Sequence, residues 1–259
     1  MTFSDITAAY IAERRAAGLK CEKDERVMAR IAALHDDLGC PDDELPQLLV
    51  EAWIAKRCGE TERTRISRIS QIRSLATYMV RMGLCAYIVP DRQGYVDRDA
   101  YDPYIFTDSE LVSLFEAADA LVGNDPIGQR AQGALIIRML YSSGLRCGEA
   151  CSLSKNDVDL EAGILTLRHA KNDKDRLVPL HPKMAQRLRE FSNLASIRHL
   201  QYCKHDLFWS LPEGRPMHTG YIYYLFRKAL WGAGISHGGR GKGPRVHDLR
   251  FTFACHRLR

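Results

Sequence analysis

Long apolar runs are missing from this 259-residue chain: no window approaches the ~18 uninterrupted apolar residues that cross a bilayer. The N-terminus, Met1-Thr2-Phe3-Ser4-Asp5, lacks a basic stretch followed by an apolar one, so no secretory signal is visible. The expectation is a cytoplasmic protein with no membrane partner. Cysteine is sparse for a disulfide frame. The eight residues at 21, 40, 58, 85, 147, 151, 203 and 255 are scattered and never stand at Cys-x-x-Cys spacing, which suits free thiols in a reducing compartment. Cys147 and Cys151 lie four apart without a histidine pair at zinc-finger spacing, so no metal site is expected.

Positive charge is abundant but unevenly placed. The chain carries +5 overall. Residues 1–100 hold 15 Lys/Arg against 16 Asp/Glu, and residues 101–160 hold 4 against 9. Residues 161–259 hold 18 against 7, a net of +11, with eight of the nine histidines. A basic stretch beside an acidic one fits either a polyanionic partner such as nucleic acid or a merely solvated face. A smaller basic cluster comprises Lys56, Arg57, Arg63, Arg65, Arg68, Arg73 and Arg81. Thr61 or Thr64 is placed to cap a helix there, with Ile66, Ile69, Ile72, Leu75, Ala76, Met79 and Val80 as its packed stripe. Arg65 and Arg68 then lie off that stripe, free to meet phosphates or simply to stay wet.

Four helices are expected in the first ninety residues, at about 4–17, 22–38, 44–58 and 63–82, broken by Gly18, Gly39-Cys40-Pro41, Gly59 and Gly83. Residues 91–104 are polar and aperiodic, a linker between units 1–90 and 105–259. Thr107-Asp-Ser-Glu110 is a capping box that opens a new helix. Residues 129–143 read as a buried helix ended by Gly144, and 146–153 as a short one. The period then changes: 163–170 and 176–180 read as two strands around a polar turn. Helices return near 183–195, 218–232 and 247–258. The fold class is α+β, mostly α, with a small antiparallel sheet. Tyr221-Ile-Tyr-Tyr224 has helical spacing and reads as core. Gly238-Gly-Arg-Gly-Lys-Gly-Pro-Arg245 lacks the Ser or Thr that follows the lysine in a Walker loop. It reads instead as a flexible basic loop, carrying Arg240, Lys242 and Arg245, that enters the helix at His247.

Three segments recur together in one family. They are Ser143-Gly-Leu-Arg-Cys-Gly-Glu-Ala-Cys-Ser-Leu153, Ala170-Lys-Asn-Asp-Lys-Asp-Arg-Leu-Val-Pro-Leu180 and His247-Asp-Leu-Arg-Phe-Thr-Phe-Ala-Cys-His256. In order and spacing they resemble the boxes of the tyrosine recombinases, or phage-integrase family. The helical first ninety residues resemble that family's core-binding domain.

The resemblance implies a site-specific DNA recombinase that clamps duplex DNA and exchanges strands through a 3′-phosphotyrosyl link, without metal or nucleotide. Arg146 and Arg250 would hold the nonbridging oxygens of the phosphate, since guanidinium offers fixed paired donors and keeps its charge. The resemblance assigns the general acid to Lys171, with Lys174 as rival; Lys-Asn stands here where the family often has Lys-Gly. His247 would handle protons at the phosphate. Glu149 would orient its basic neighbours, and His256 reads as structural. DNA contacts are expected from Lys56, Arg57, Arg63, Arg65, Arg68, Arg73, Arg240, Lys242 and Arg245. The partners implied are double-stranded DNA and, for a full-length protein, further protomers of a synaptic complex.

One element of the family is not found. Its nucleophilic tyrosine follows the His-x-x-Arg box, but here the eleven tyrosines end at Tyr224, and nine residues follow Arg250. The expectation is a chain, monomeric in solution, that binds DNA and does not cleave it: an incomplete recombinase or, as the alternative, a noncatalytic competitor for recombination sites.

Overall fold

Threonines set where three of the main helices begin. In the computed structural model, which describes residues 1–19, 21–90, 102–124, 128–168, 175–197, 208–209, 216–239 and 243–258, Thr2, Thr61 and Thr107 each accept a backbone N–H of the first helical turn. Such caps satisfy donors that the helix itself leaves open. The chain divides into two units, Met1–Tyr101 and Asp102–Arg259. Among the described residues no helix is long and apolar enough to cross a membrane.

The first unit contains α1 (Phe3–Ala16), α2 (Glu22–Asp37), β1 (Glu44–Leu45), α3 (Gln47–Ile54), α4 (Glu62–Arg81) and β2 (Cys85–Ala86). Phe3, Ile6, Ile31, Leu45, Leu49, Ile69, Ile72, Leu75 and Met79 form its core. The pattern of four helices is present, and a two-residue parallel pairing of β1 with β2 is added to it. Val80, expected in the packed stripe, faces solvent.

Arg68 corrects the reading more substantially. It is buried, 7% exposed, not on the wet face of α4. Its guanidinium donates to the Trp53 and Ala55 carbonyls and grips the Glu60 carboxylate through Nε at 2.7 Å. Arg65 Nε donates to the Ile54 carbonyl at 2.9 Å. The physical reason lies in α3, whose C-terminal carbonyls have no helical partner and carry the negative end of its dipole. Two arginines of α4 supply the missing donors.

The second unit is α5 (Asp108–Ala120), α6 (Gln129–Ser143), α7 (Cys147–Cys151), a 3-10 turn (Lys155–Asp157), β3 (Val158–Asp159), β4 (Ile164–Leu167), β5 (Arg176–Pro179), α8 (Pro182–Ile197), α9 (Thr219–Gly232) and α10 (Asp248–Leu258). The three strands form an antiparallel sheet in chain order, with Leu167 opposite Arg176. Helices and sheet share a core that includes Leu114, Ile137, Leu140, Leu165, Leu188, Phe226 and Leu249. The fold is therefore α+β, mostly helical, with a small antiparallel sheet.

Two long-range links fix the elements that carry the candidate site. The Trp209 indole, fully buried, donates to the Ala150 carbonyl at 2.8 Å and so holds α7. Thr252 of α10 accepts from the Phe106 backbone at 3.1 Å and donates to the Asp248 carbonyl at 2.8 Å. Tyr223 and Tyr224, read as core, are 48% and 51% exposed; α9 packs through Ile222, Leu225, Phe226, Ala229 and Leu230 instead. The phenol rings lie beside Arg227 and Lys228, whose cations sit over the ring faces.

Gly144 ends α6 in the left-handed region at φ +61°, and a Cβ there would lie 2.4 Å from the Phe253 ring. Both strain and overlap therefore oppose a side chain. Gly144→Ala is expected to destabilise the second unit by about 1–3 kcal/mol, measurable by urea unfolding.

In the first unit, hydrogen bonding from Arg68 outweighs desolvation and brings the Glu60 carboxyl down to about 2. A carboxyl depressed in the folded state stabilises above its unfolded value, near 4.5, and loses that contribution as pH falls toward 2. Acid unfolding of Glu60→Gln, followed by circular dichroism, is therefore expected to be shallower than that of the parent across this window.

Candidate anion-binding site

The turn after α6 delivers the first cation. Arg146 occupies the N-cap of α7 in extended conformation, and Glu149 stands at the third helical position. Its carboxylate accepts the Arg146 backbone N–H at 2.8 Å and Arg146 Nη1 at 2.7 Å. The sheet delivers the second cation: Arg176, first residue of β5, donates from Nη2 to the same carboxylate at 2.8 Å. The third, Arg250, lies near the start of α10 and donates from Nη1 to the Gly144 carbonyl.

Burial alone would raise the Glu149 carboxyl, but hydrogen bonds from Arg146 and the charges of Arg176 and Arg146 bring it below its ordinary value. It is an anion at neutral pH. Arg250 shows the opposite pressure. Burial, Arg146 and Arg176 all depress it, with Glu149 opposing. Arg146 and Arg176 thus share one carboxylate, and Arg250 adds a third guanidinium near them, so a positive surplus remains. His247 is exposed immediately before α10, its ring edge against Phe251 at 5.2 Å. Desolvation first, then the Arg250 charge, hold its imidazole below the usual value. At neutral pH it is a neutral ring beside fixed cations, able to accept a proton from a bound group.

This arrangement suits a multivalent oxyanion. Guanidiniums held by other groups present preorganised donors, and their mutual repulsion is relieved when an anion binds between them. Phosphate esters match both the charge and the fork geometry.

The structure brings together Arg146, Glu149, His247 and Arg250. Lys171 and its rival Lys174, with Arg240 and Lys242, lie outside the described residues. Arg245 is exposed, and its backbone N–H donates to the Asp248 carboxylate at 2.7 Å. In the first unit, Lys56, Arg57 and Arg63 are exposed, whereas Arg73 donates to the Val89 and Pro90 carbonyls at 2.9 and 2.7 Å. Arg65 and Arg68 serve α3 as described. His256 hydrogen-bonds the Tyr141 hydroxyl at 3.0 Å and lies 3.7 Å from Asp108. Arg176 is the residue that sequence reasoning missed. Its signal was a lone arginine opening a strand, 27 residues from Glu149.

Because Arg250 depresses His247 through like charge, Arg250→Ala is expected to raise the His247 pKa, and Lys in its place to leave it low. A proton NMR titration of the imidazole signals checks this directly.

Known proteins place the chain. Residues 105–259 match the Phage integrase family. The y4rB protein of Sinorhizobium fredii is 27% identical over 264 residues, covering 99% of this chain and 82% of that one. Tyrosine recombinase XerC of Bacillus subtilis is 28% identical over 202 residues, 77% of this chain and 63% of that protein. A lambda integrase tetramer solved on a Holliday junction shares the fold, with a TM-score of 0.64, 16% identity and coverage of 98% of this chain and 72% of that one. With its arginine-bearing boxes in the matched region and the fold shared throughout, the chain belongs to the phage integrase family.

Proposed function

We propose that this chain binds duplex DNA as the DNA-binding and catalytic portions of a site-specific tyrosine recombinase, with Arg146, Arg176 and Arg250 around a backbone phosphate. One observation carries this reading: two guanidiniums pair with the Glu149 carboxylate and a third, Arg250, held by the Gly144 carbonyl, stands near enough to feel their charges, leaving charge for an oxyanion. Family membership supplies the substrate class, and the related lambda integrase is solved on a DNA junction. Residues 1–90 act as the core-binding domain, with Lys56, Arg57 and Arg63 as backbone contacts. Residues 105–259 act as the catalytic domain.

Transfer at phosphorus passes through a five-coordinate state with added negative charge on the nonbridging oxygens. Arg146 and Arg250 neutralise that charge; Glu149 keeps Arg146 aimed and holds Arg176 beside it. His247 handles the proton of the attacking hydroxyl. Lys171 or its rival Lys174 protonates the departing 5′-oxygen, which would otherwise leave as an alkoxide. The attacking group in this chemistry is a tyrosine following the His247 box, and residues 251–259 hold none. In a protein carrying that tyrosine, several protomers act together on the paired sites.

Fluorescence anisotropy on a duplex is the test. The logarithm of the binding constant is expected to fall linearly with that of salt, by about 0.9 per phosphate neutralised. Arg146→Ala and Arg250→Ala are each expected to weaken binding about tenfold or more. Affinity indifferent to ionic strength, or unchanged by both substitutions, would overturn the proposal.

A further inference from the structure

Helix α7 carries two groups that the anion site does not use. Cys147 and Cys151 are the first and last residues of its single turn, four apart and so on one face. Both are free thiols; Cys151 is buried and Cys147 partly exposed. They bracket Glu149, and Cys147 adjoins Arg146. The thiols also interact with each other. A hydrogen bond from Cys151 lowers the Cys147 thiol, while that bond and burial raise Cys151. One sulfur is therefore reachable and the nearer to thiolate, and the other waits protonated behind it. This is the arrangement of an attacking and a resolving cysteine.

We propose that Cys147 and Cys151 are a redox modification site whose oxidation to an intrahelical disulfide dismantles the anion site. With peroxide as oxidant, the Cys147 sulfur attacks the O–O bond, giving a sulfenic acid and releasing water. The Cys151 sulfur then attacks the Cys147 sulfur. The S–S bond forms, the S–O bond breaks, and the hydroxyl leaves as a second water with the Cys151 proton. Cβ atoms four apart on a helix stand about 5–6 Å from each other; a disulfide needs about 3.5–4.5 Å. Closing that gap distorts the one turn that holds Arg146 at its cap and Glu149 at its third position. The effect on DNA rests on the function proposed above; the thiol chemistry does not.

Lys155 and Arg146 make the test direct, because trypsin releases residues 147–155 as one peptide holding both thiols. After peroxide this peptide is expected to resist alkylation and to lose two hydrogens in mass. DNA affinity of the whole chain should fall about tenfold or more and return with dithiothreitol, while Cys147→Ser keeps its affinity in peroxide. Alkylation of both thiols after peroxide would overturn the proposal, as would a formed disulfide with unchanged affinity. A reduced chain that binds no DNA would instead sink the DNA-binding reading, leaving the peptide to judge the thiols.

Discussion

The Glu149 carboxylate is the constraint on which the site depends. Like charges do not gather spontaneously in a partly desolvated pocket; each guanidinium would turn outward to water. Glu149 makes the gathering possible by accepting from the backbone and side chain of Arg146 and from Arg176 at once. One anion against several cations is also the ratio that leaves attraction for a ligand. A second carboxylate would satisfy the arginines and silence the site. The Gly144 carbonyl supports Arg250 without that penalty, because a peptide oxygen accepts a hydrogen bond while adding no net charge.

The two units use arginine in contrasting ways. In the first, Arg68 and Arg65 turn inward to finish α3, whose terminal carbonyls would otherwise be buried without donors. Arg73 does the same for the carbonyls of Val89 and Pro90. In the second unit, Arg146, Arg176 and Arg250 are instead gathered around one carboxylate and one carbonyl. Formal charge in a segment thus overstates the charge available to a partner. Of the basic cluster on and before α4, Lys56, Arg57, Arg63 and Arg81 keep their exposure.

Short-range order made much of this legible in the sequence. Capping threonines, glycine stops and the change of period at the sheet are written over a few residues each, and the elements fall near their expected places. Arg146 and Glu149 could be paired on sight, being cap and third position of one turn. Arg176 could not, because strand register brings it to Glu149 and register is settled by the whole sheet. Arg68 misled for the same reason: its polarity was visible, but the need of α3 for donors was not. Tyr223 and Tyr224 share the spacing of their apolar neighbours, and a phenol suits either side of a helix. Only the packing of α9 through Leu225 and Phe226 chose between them.

The link between Arg250 and the Gly144 carbonyl joins residues 106 apart, and that between Phe106 and Thr252 joins residues 146 apart. Such distant contacts close late, after nearer ones have formed. A chain emerging from the ribosome therefore presents Arg146 with Glu149 long before Arg250 arrives beside them. The arrangement of three arginines exists only once α10 has been made.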